Sequence, residues 1–400
     1  MRQSLKKLYY QGKDLYDAVY KNRFENESST RLDFEIHGYP AFFVWTKDIT
    51  SKLMQIMEND KLVSKVLEKL PGVAIEEYQT SCLIDEIVLT NDIEGVRSTR
   101  REIANLLDDY SKQNNQKRFA GIVQKYRMLL SSQSSSQIKL NTCQDIREIY
   151  DSLLSGEVEK PDGHIFRKDS VSVYSSTDKE IHRGVYPEFK IIKSMEKALL
   201  YLNTSSDHLL LKISVFHYLF GYIHPFYDGN GRTSRFISAY LMTQCLEPLV
   251  SFRLSYAIKR HIHGYYEAFM LCNDPLNRGE ITSFIEMFLS VTLSAVRELK
   301  DGLEDRAEQM NMFFTLCESF PECSESSKLY WKLYQLLIQA ALFSETGIST
   351  SELCRILTVS DSTLRKKLDV IKKRGLLLTR RYGYSKFYQL DMDIFHKKYC

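Results

Sequence analysis

The chain has 400 residues, 44% hydrophobic and 26% charged, with only 17 Gly and 8 Pro. That excludes collagen-like and broadly disordered classes and leaves room for two or three domains. The net charge of +3 hides an asymmetry: residues 349–400 carry 12 Lys/Arg against 5 Asp/Glu, leaving 42 against 46 elsewhere.

The eight cysteines form no CxxC pair, so neither zinc nor a redox dithiol is indicated, and they read as thiols of a reducing compartment. The N-terminus has no apolar leader run, and the most apolar stretch, Leu209–Phe226, is broken by Lys212, His217 and His224. A cytoplasmic protein without membrane contact is expected.

In chain order, the pattern is mostly helical. Apolar residues at spacings of three and four predict a helix over Asp48–Leu70, stopped by Pro71-Gly72, and a second over Ile75–Asn91. Thr99-Arg-Arg-Glu102 fits a capping box opening a third helix. Further helices are expected over Gln116–Leu130, after a Thr142 cap as far as Leu154, and over Pro187–Leu202, Asp207–Ile223, Asn230–Cys245, Ile258–Leu271 and Ile281–Gln309. Ser131–Gln137 reads as a short connector. Between Gly163 and Pro187, β-branched and aromatic residues with turn formers predict a β-hairpin, the one extended element expected in the first three hundred residues. From Ser327 onward, a helix, a helix-turn-helix over Ser349–Leu357 and Thr363–Arg374, then strands Leu376–Thr379 and Lys386–Leu390, make the signature of a winged helix. Three regions follow: a helical 1–110, a core 111–309 and a winged-helix domain 310–400.

The chemistry concentrates in His224-Pro-Phe-Tyr-Asp228-Gly229-Asn230-Gly231-Arg232-Thr233-Ser-Arg235. Pro225 forces His224 out of the helix before it, leaving a histidine fixed at a helix end as a general-base candidate. Gly229-Asn230-Gly231 is a turn whose N–H groups converge at a helix N-terminus, an anion cradle. Arg232 and Arg235 stand three apart on one helical face, suited to successive phosphates. Asp228 at the lip suits a divalent cation bridging them.

This segment resembles the Fic signature HPFx(D/E)GNGRxxR at every fixed position, and the similarity in layout runs from about Tyr39 to Leu289. The resemblance implies a mainly α fold: a Fic-type helical core with a β-hairpin flap, a helical N-terminal region and the C-terminal winged helix. It also implies transfer of AMP from ATP to a Ser, Thr or Tyr hydroxyl of a protein, the chain itself included. His224 would deprotonate the hydroxyl and Asp228 bind Mg²⁺. Gly229, Asn230, Gly231 and Thr233 would line the phosphate site, with Arg232 on the outer phosphates and Arg235 on the γ-phosphate. Tyr265, Tyr266 and Asn273 resemble the family's adenine side, although aromatics at helical spacing also build cores. Tyr186 is the candidate flap clamp, where a plain surface hairpin would look the same.

Thr90-Asn-Asp-Ile-Glu94-Gly95 resembles the family's inhibitory motif (S/T)xxxE(G/N). A carboxylate paired with Arg235 would occupy the γ-phosphate's place and misalign the α-phosphate. The same Glu94 could instead orient a water for AMP removal, which would make the chain a de-AMPylating hydrolase. The basic residues Arg365, Lys366, Lys367, Lys372, Lys373, Arg374, Arg380 and Arg381 suit DNA phosphates and a DNA-binding regulator; winged helices equally serve protein docking or homodimer formation.

Overall fold

The computed structural model describes residues 3–108, 117–130, 138–158, 161–174, 180–323, 328–382 and 385–399. Among these residues the chain is mainly α-helical with three small antiparallel sheets, and it divides into two compact units: Met1–Asp60 with Leu83–Arg297, and Lys61–Cys82 with Glu298–Cys400.

The first unit opens with α1 (Leu5–Tyr9) and α2 (Lys13–Glu25), then β1 (Ser29–Ile36) and β2 (Tyr39–Val44). This hairpin corrects the expectation of a single extended element before residue 300. Leu32, Phe34 and Ile36 alternate with charged residues and are buried, a period-2 pattern closed by His37-Gly38, both at positive φ (51° and 79°). α3 (Lys47–Leu67) and α4 (Gly72–Ile93) follow, each contributing residues to both units. α5 (Arg100–Asp108) starts where Thr99 Oγ1 accepts the Glu102 amide at 3.2 Å. Of the expected helix over 116–130, Ala120–Met128 is α6; Gln116 and the connector Ser131–Gln137 lie outside the described residues. α7 (Cys143–Leu153) carries the capping box of Thr142 and Asp145.

Among the described residues of 163–187, the chain is extended only at β3 (Ser172–Tyr174) and β4 (Glu180–Arg183), which pair antiparallel. His164–Arg167, expected to be a strand, is irregular, because the Glu188 carboxylate accepts the amides of His164, Ile165 and Phe166 at 3.0, 2.7 and 2.9 Å. α8 (Glu188–Thr204) buries one face: Ile191, Met195, Ala198, Leu199 and Leu202. α9 (Leu209–Ile223) is apolar nearly all round, so it is the buried central helix, packed against α8 and α10 (Asn230–Met242).

After α11 (Pro248–Ser251), the single helix expected over 258–271 is two, α12 (Leu254–Arg260) and α13 (Ile262–Cys272), broken at His261. The two segments bury different amounts: Leu254, Ser255, Ala257 and Ile258 are all buried in α12, only Cys272 in α13. α14 (Thr282–Glu318) runs on past the expected end at Gln309.

In the second unit, α15 (Lys328–Phe343) leads to β5 (Ile348–Ser349), α16 (Thr350–Leu357), α17 (Asp361–Lys373), β6 (Leu377–Tyr382), β7 (Ser385–Leu390) and α18 (Met392–Tyr399). The sheet order is β5-β7-β6, so a short strand not expected from the sequence pairs with the second hairpin strand. Leu353, Leu364, Leu368, Ile371, Leu376 and Phe395 form its interior. No helix among the described residues is long and apolar enough to cross a membrane.

Candidate active site

α9 ends at His224, which takes the left-handed conformation (φ 51°, ψ 63°) and donates its N–H to Phe220 O at 2.9 Å. The residue is half-buried. Burial, then the neighbouring His182 and Arg167, push its imidazole down to about 3, so it is neutral at ordinary pH.

The loop then turns through Gly229 (φ 75°) into α10. Asn230 is buried and holds this turn: its Oδ1 accepts the Phe226 amide at 2.9 Å and its Nδ2 donates to Phe226 O at 2.8 Å. Its side chain is thereby a staple of the loop, which leaves the main-chain N–H groups of Asn230 and Gly231 to face an anion. Phe226 in turn stacks on Tyr150 at 3.6 Å. Thr233 is buried and bonds Gly229 O at 2.9 Å.

Asp228 is the exposed member, its side chain 62% accessible, with Oδ1 accepting the Gly229 amide at 2.6 Å. Arg232 is buried and pairs with the buried Glu157 at 2.8 Å, with Asp228 at 3.7 Å. Burial raises the Glu157 pKa against the opposing pull of Arg232. Sequence reasoning did not find Glu157; a lone acid after a helix end carries no local signal.

Arg235 is fully buried and collects both ends of the Thr90–Glu94 segment. Its Nε donates to Thr90 Oγ1 at 2.8 Å, and its Nη2 donates to Thr90 O at 2.9 Å and to Glu94 Oε1 at 2.8 Å. Glu94 lies just past α4, with Gly95 (φ 73°) reversing the chain. A Cβ on Gly231 would fall 2.1 Å from Glu94 Oε1, so only glycine lets the carboxylate reach the first turn of α10.

Tyr265 and Tyr266 on α13 both feel the charges of Glu94 and Arg235, and burial raises both hydroxyl pKa values. Tyr266 is exposed, and the Asn273 Oδ1 accepts the Tyr218 hydroxyl at 2.7 Å while its Nδ2 is buried without a partner. Tyr186 is 50% exposed between β4 and α8. Two buried groups were missed from sequence. His217 bonds Ser238 Oγ at 2.8 Å and Tyr265 Oη at 2.9 Å, linking α9, α10 and α13. Glu86 on α4 accepts the amide and hydroxyl of Ser255 at 2.8 and 2.6 Å. A polar residue inside a nearly all-apolar helix was the available signal for His217, whereas Glu86 stands among the many polar residues of α4 and had none.

Among the described residues no cluster of three or more His, Cys, Asp or Glu could hold a metal by itself. A single exposed carboxylate beside an anion cradle still fits Mg²⁺, which takes one or two carboxylates and completes its shell with substrate phosphates and water.

Residues 140–242 match the family model described as the Fic/DOC family, so the chain carries a Fic/DOC domain that contains the whole cradle. Over 151 residues the chain is 30% identical to Protein adenylyltransferase Fic of Aedes aegypti, covering 38% of this chain and 28% of that protein. Over 155 residues it is 30% identical to the protein of the same name in Culex quinquefasciatus, covering 38% and 27%. The chain thus matches little more than a quarter of the length of these relatives. A crystal structure of a Fic family protein from Desulfovibrio desulfuricans G20 superposes with a TM-score of 0.51 at 19% identity, covering 87% of this chain and 97% of that one, which shows a shared fold.

Proposed function

We propose that the chain is a protein adenylyltransferase that moves AMP from ATP onto a Ser, Thr or Tyr hydroxyl of a protein target and of itself, and that Glu94 restrains it. The observation that carries this reading is the junction at Arg235: one buried guanidinium, at the base of an anion cradle, holds both ends of the Thr90–Glu94 segment. With Glu94 withdrawn, that guanidinium and the N-terminus of α10 become a site for the terminal phosphate.

His224 takes the proton of the attacking hydroxyl as it bonds to the α-phosphorus and pyrophosphate leaves. Neutral imidazole is the required form, and bound phosphates raise its basicity by opposing the positive neighbours. The Asn230 and Gly231 amides receive the α-phosphate oxygens, with Gly229, whose own amide donates to Asp228, shaping the turn, and Arg235 receives the γ-phosphate. Arg232, tied to Glu157, adds positive charge behind the outer phosphates and fixes the lip that carries Asp228. Asp228 would hold Mg²⁺, which neutralises phosphate charge when bound. Tyr265, Tyr266 and Asn273 border the adenine side, and Tyr186 beside the hairpin meets the target.

The helices α15 to α17 with the β5-β7-β6 sheet support a winged helix. We read it as a docking module, because much of its basic charge is committed inside its own unit. Arg374 forks onto Glu322 at 2.6 and 2.5 Å, Arg365 pairs with Asp361 at 2.6 Å, and Lys367 sits 4.0 Å over the Tyr330 ring.

The test is to offer the Glu94→Gly variant ATP labelled at either the α- or the γ-phosphorus. Adenylyl transfer attaches the α label only; attachment of the γ label would mean a kinase instead.

A further inference from the structure

The end of α9 presents four successive main-chain carbonyls, and each is met by a donor from the 167–185 segment that carries the hairpin. Tyr222 O accepts from His182 Nε2 at 2.6 Å, and Ile223 O from the Val185 amide at 3.0 Å. His224 O accepts from Arg167 Nε at 2.9 Å, and Pro225 O from the Arg167 amide at 3.2 Å. The last carbonyls of a helix have no partner within it, so a terminus in the interior needs such donors.

Arg167 is the hub. It is completely buried, its other guanidinium nitrogens donate to Asp169 O and, at 2.8 Å, to Val185 O, and no carboxylate among the described residues pairs with it. An arginine keeps its charge even there. A buried charge without a counter-ion is a poor source of stability, so its presence calls for another reason. The fork supplies one: it joins the carbonyls of residues 169, 185 and 224, three separate stretches of chain, in a single rigid plane. Gly184 completes the joint, since a Cβ there would lie 2.5 Å from Arg167 Nη2, 2.9 Å from His224 Cβ and 3.2 Å from Ile223 O. His182 reinforces it, its ring packed 5.0 Å from Tyr222 and 6.0 Å from Phe269.

We propose that Arg167 is a positioning residue of the transfer reaction, fastening the β3–β4 hairpin to the carbonyl of His224 so that the element receiving the target and the histidine taking its proton are held in one geometry. This rests on the transferase reading above. A histidine displaced by an ångström loses in-line alignment without losing the phosphate contacts, which come from α10.

The experiment places Arg167→Met, Arg167→Lys and Gly184→Ala each in the Glu94→Gly parent. It reads the self-labelling rate at saturating ATP, the ATP concentration giving half that rate, and hydrogen exchange at the Val185 amide. Arg167→Met and Gly184→Ala should each lower the saturating rate by about 100-fold. Half-saturating ATP should stay close to the parent's, and exchange should accelerate at Val185 but not in α10. Arg167→Lys keeps the charge and not the fork, so it should recover only part of the rate. Should Arg167→Met fail to fold, Gly184→Ala tests the same joint with the arginine present. An unchanged saturating rate in Gly184→Ala, or a loss of ATP affinity matching the loss of rate, would overturn the proposal. If the Glu94→Gly parent itself takes no label, the transferase reading fails; Val185 exchange in Arg167→Lys against that parent then decides the clamp, and unchanged exchange overturns it.

Discussion

Arg235 commits three hydrogen bonds to a single segment, one to Thr90 Oγ1, one to Thr90 O and one to Glu94 Oε1. Thr90 is therefore part of the restraint and more than a motif letter. Thr90→Val keeps the shape and removes the acceptor, leaving the buried Nε without a partner at a cost of about 1–3 kcal/mol. The expected result is a lower melting temperature and self-labelling above wild type but below Glu94→Gly; labelling equal to wild type would remove Thr90 from the restraint. The residues that carry this were legible because each chemical type stood at fixed spacing: histidine before proline, GNG, two arginines three apart. Arg167, Glu157 and Glu86 were not legible, because their partners lie 57, 75 and 169 positions away in the chain. No local pattern records such distances.

His217 joins α9 to α10 and α13, and Glu86 joins α4 to α12, two buried titratable groups whose pH effects oppose each other. Burial and the charge of Arg235 lower the His217 imidazole from 6.5 to about 3. The unfolded chain therefore binds the extra proton in that window, so this group's contribution is full above 6.5 and lost as pH falls towards 3. Burial raises the Glu86 carboxyl from 4.5 to about 7 despite the Ser255 hydrogen bonds. Its contribution is full below 4.5 and lost as pH rises through 7. Glu86→Gln imitates the protonated acid, so its melting temperature should gain on wild type as pH rises from 4.5 to 7; a constant difference would mean the carboxyl is not protonated in the fold. A second element-level expectation concerns Glu188. Glu188→Gln weakens the acceptor for the amides of 164–166 and should speed their hydrogen exchange while leaving α9 protected; equal exchange would show that the turn holds without the carboxylate. Helix positions followed from apolar spacing, whereas β1 and β2 were overlooked inside a polar, Tyr-rich start although Leu32, Phe34 and Ile36 alternate. The single helix expected at 258–271 failed for another reason, since periodicity continues across His261 while the backbone does not.

Taken whole, the chain carries a Fic/DOC domain match over residues 140–242 and a basic stretch over 349–400, whose positive charge is partly spoken for by Glu322, Asp361 and Tyr330. Binding to a DNA duplex should accordingly remain non-specific, with Kd in the range of about 10⁻⁴ to 10⁻⁶ M at physiological salt. Fluorescence anisotropy over a salt series checks this, and tight sequence-dependent retention would restore the regulator reading. The central claim is that a poised transferase is held off by one carboxylate. It is tested by incubating wild type, Glu94→Gly and Glu94→Gly/His224→Ala with Mg²⁺ and α-labelled ATP. Faint label on wild type, strong label on Glu94→Gly and none on the double variant is the expected result; no gain on removing Glu94, or loss of an AMP-removing activity with it, would contradict the account.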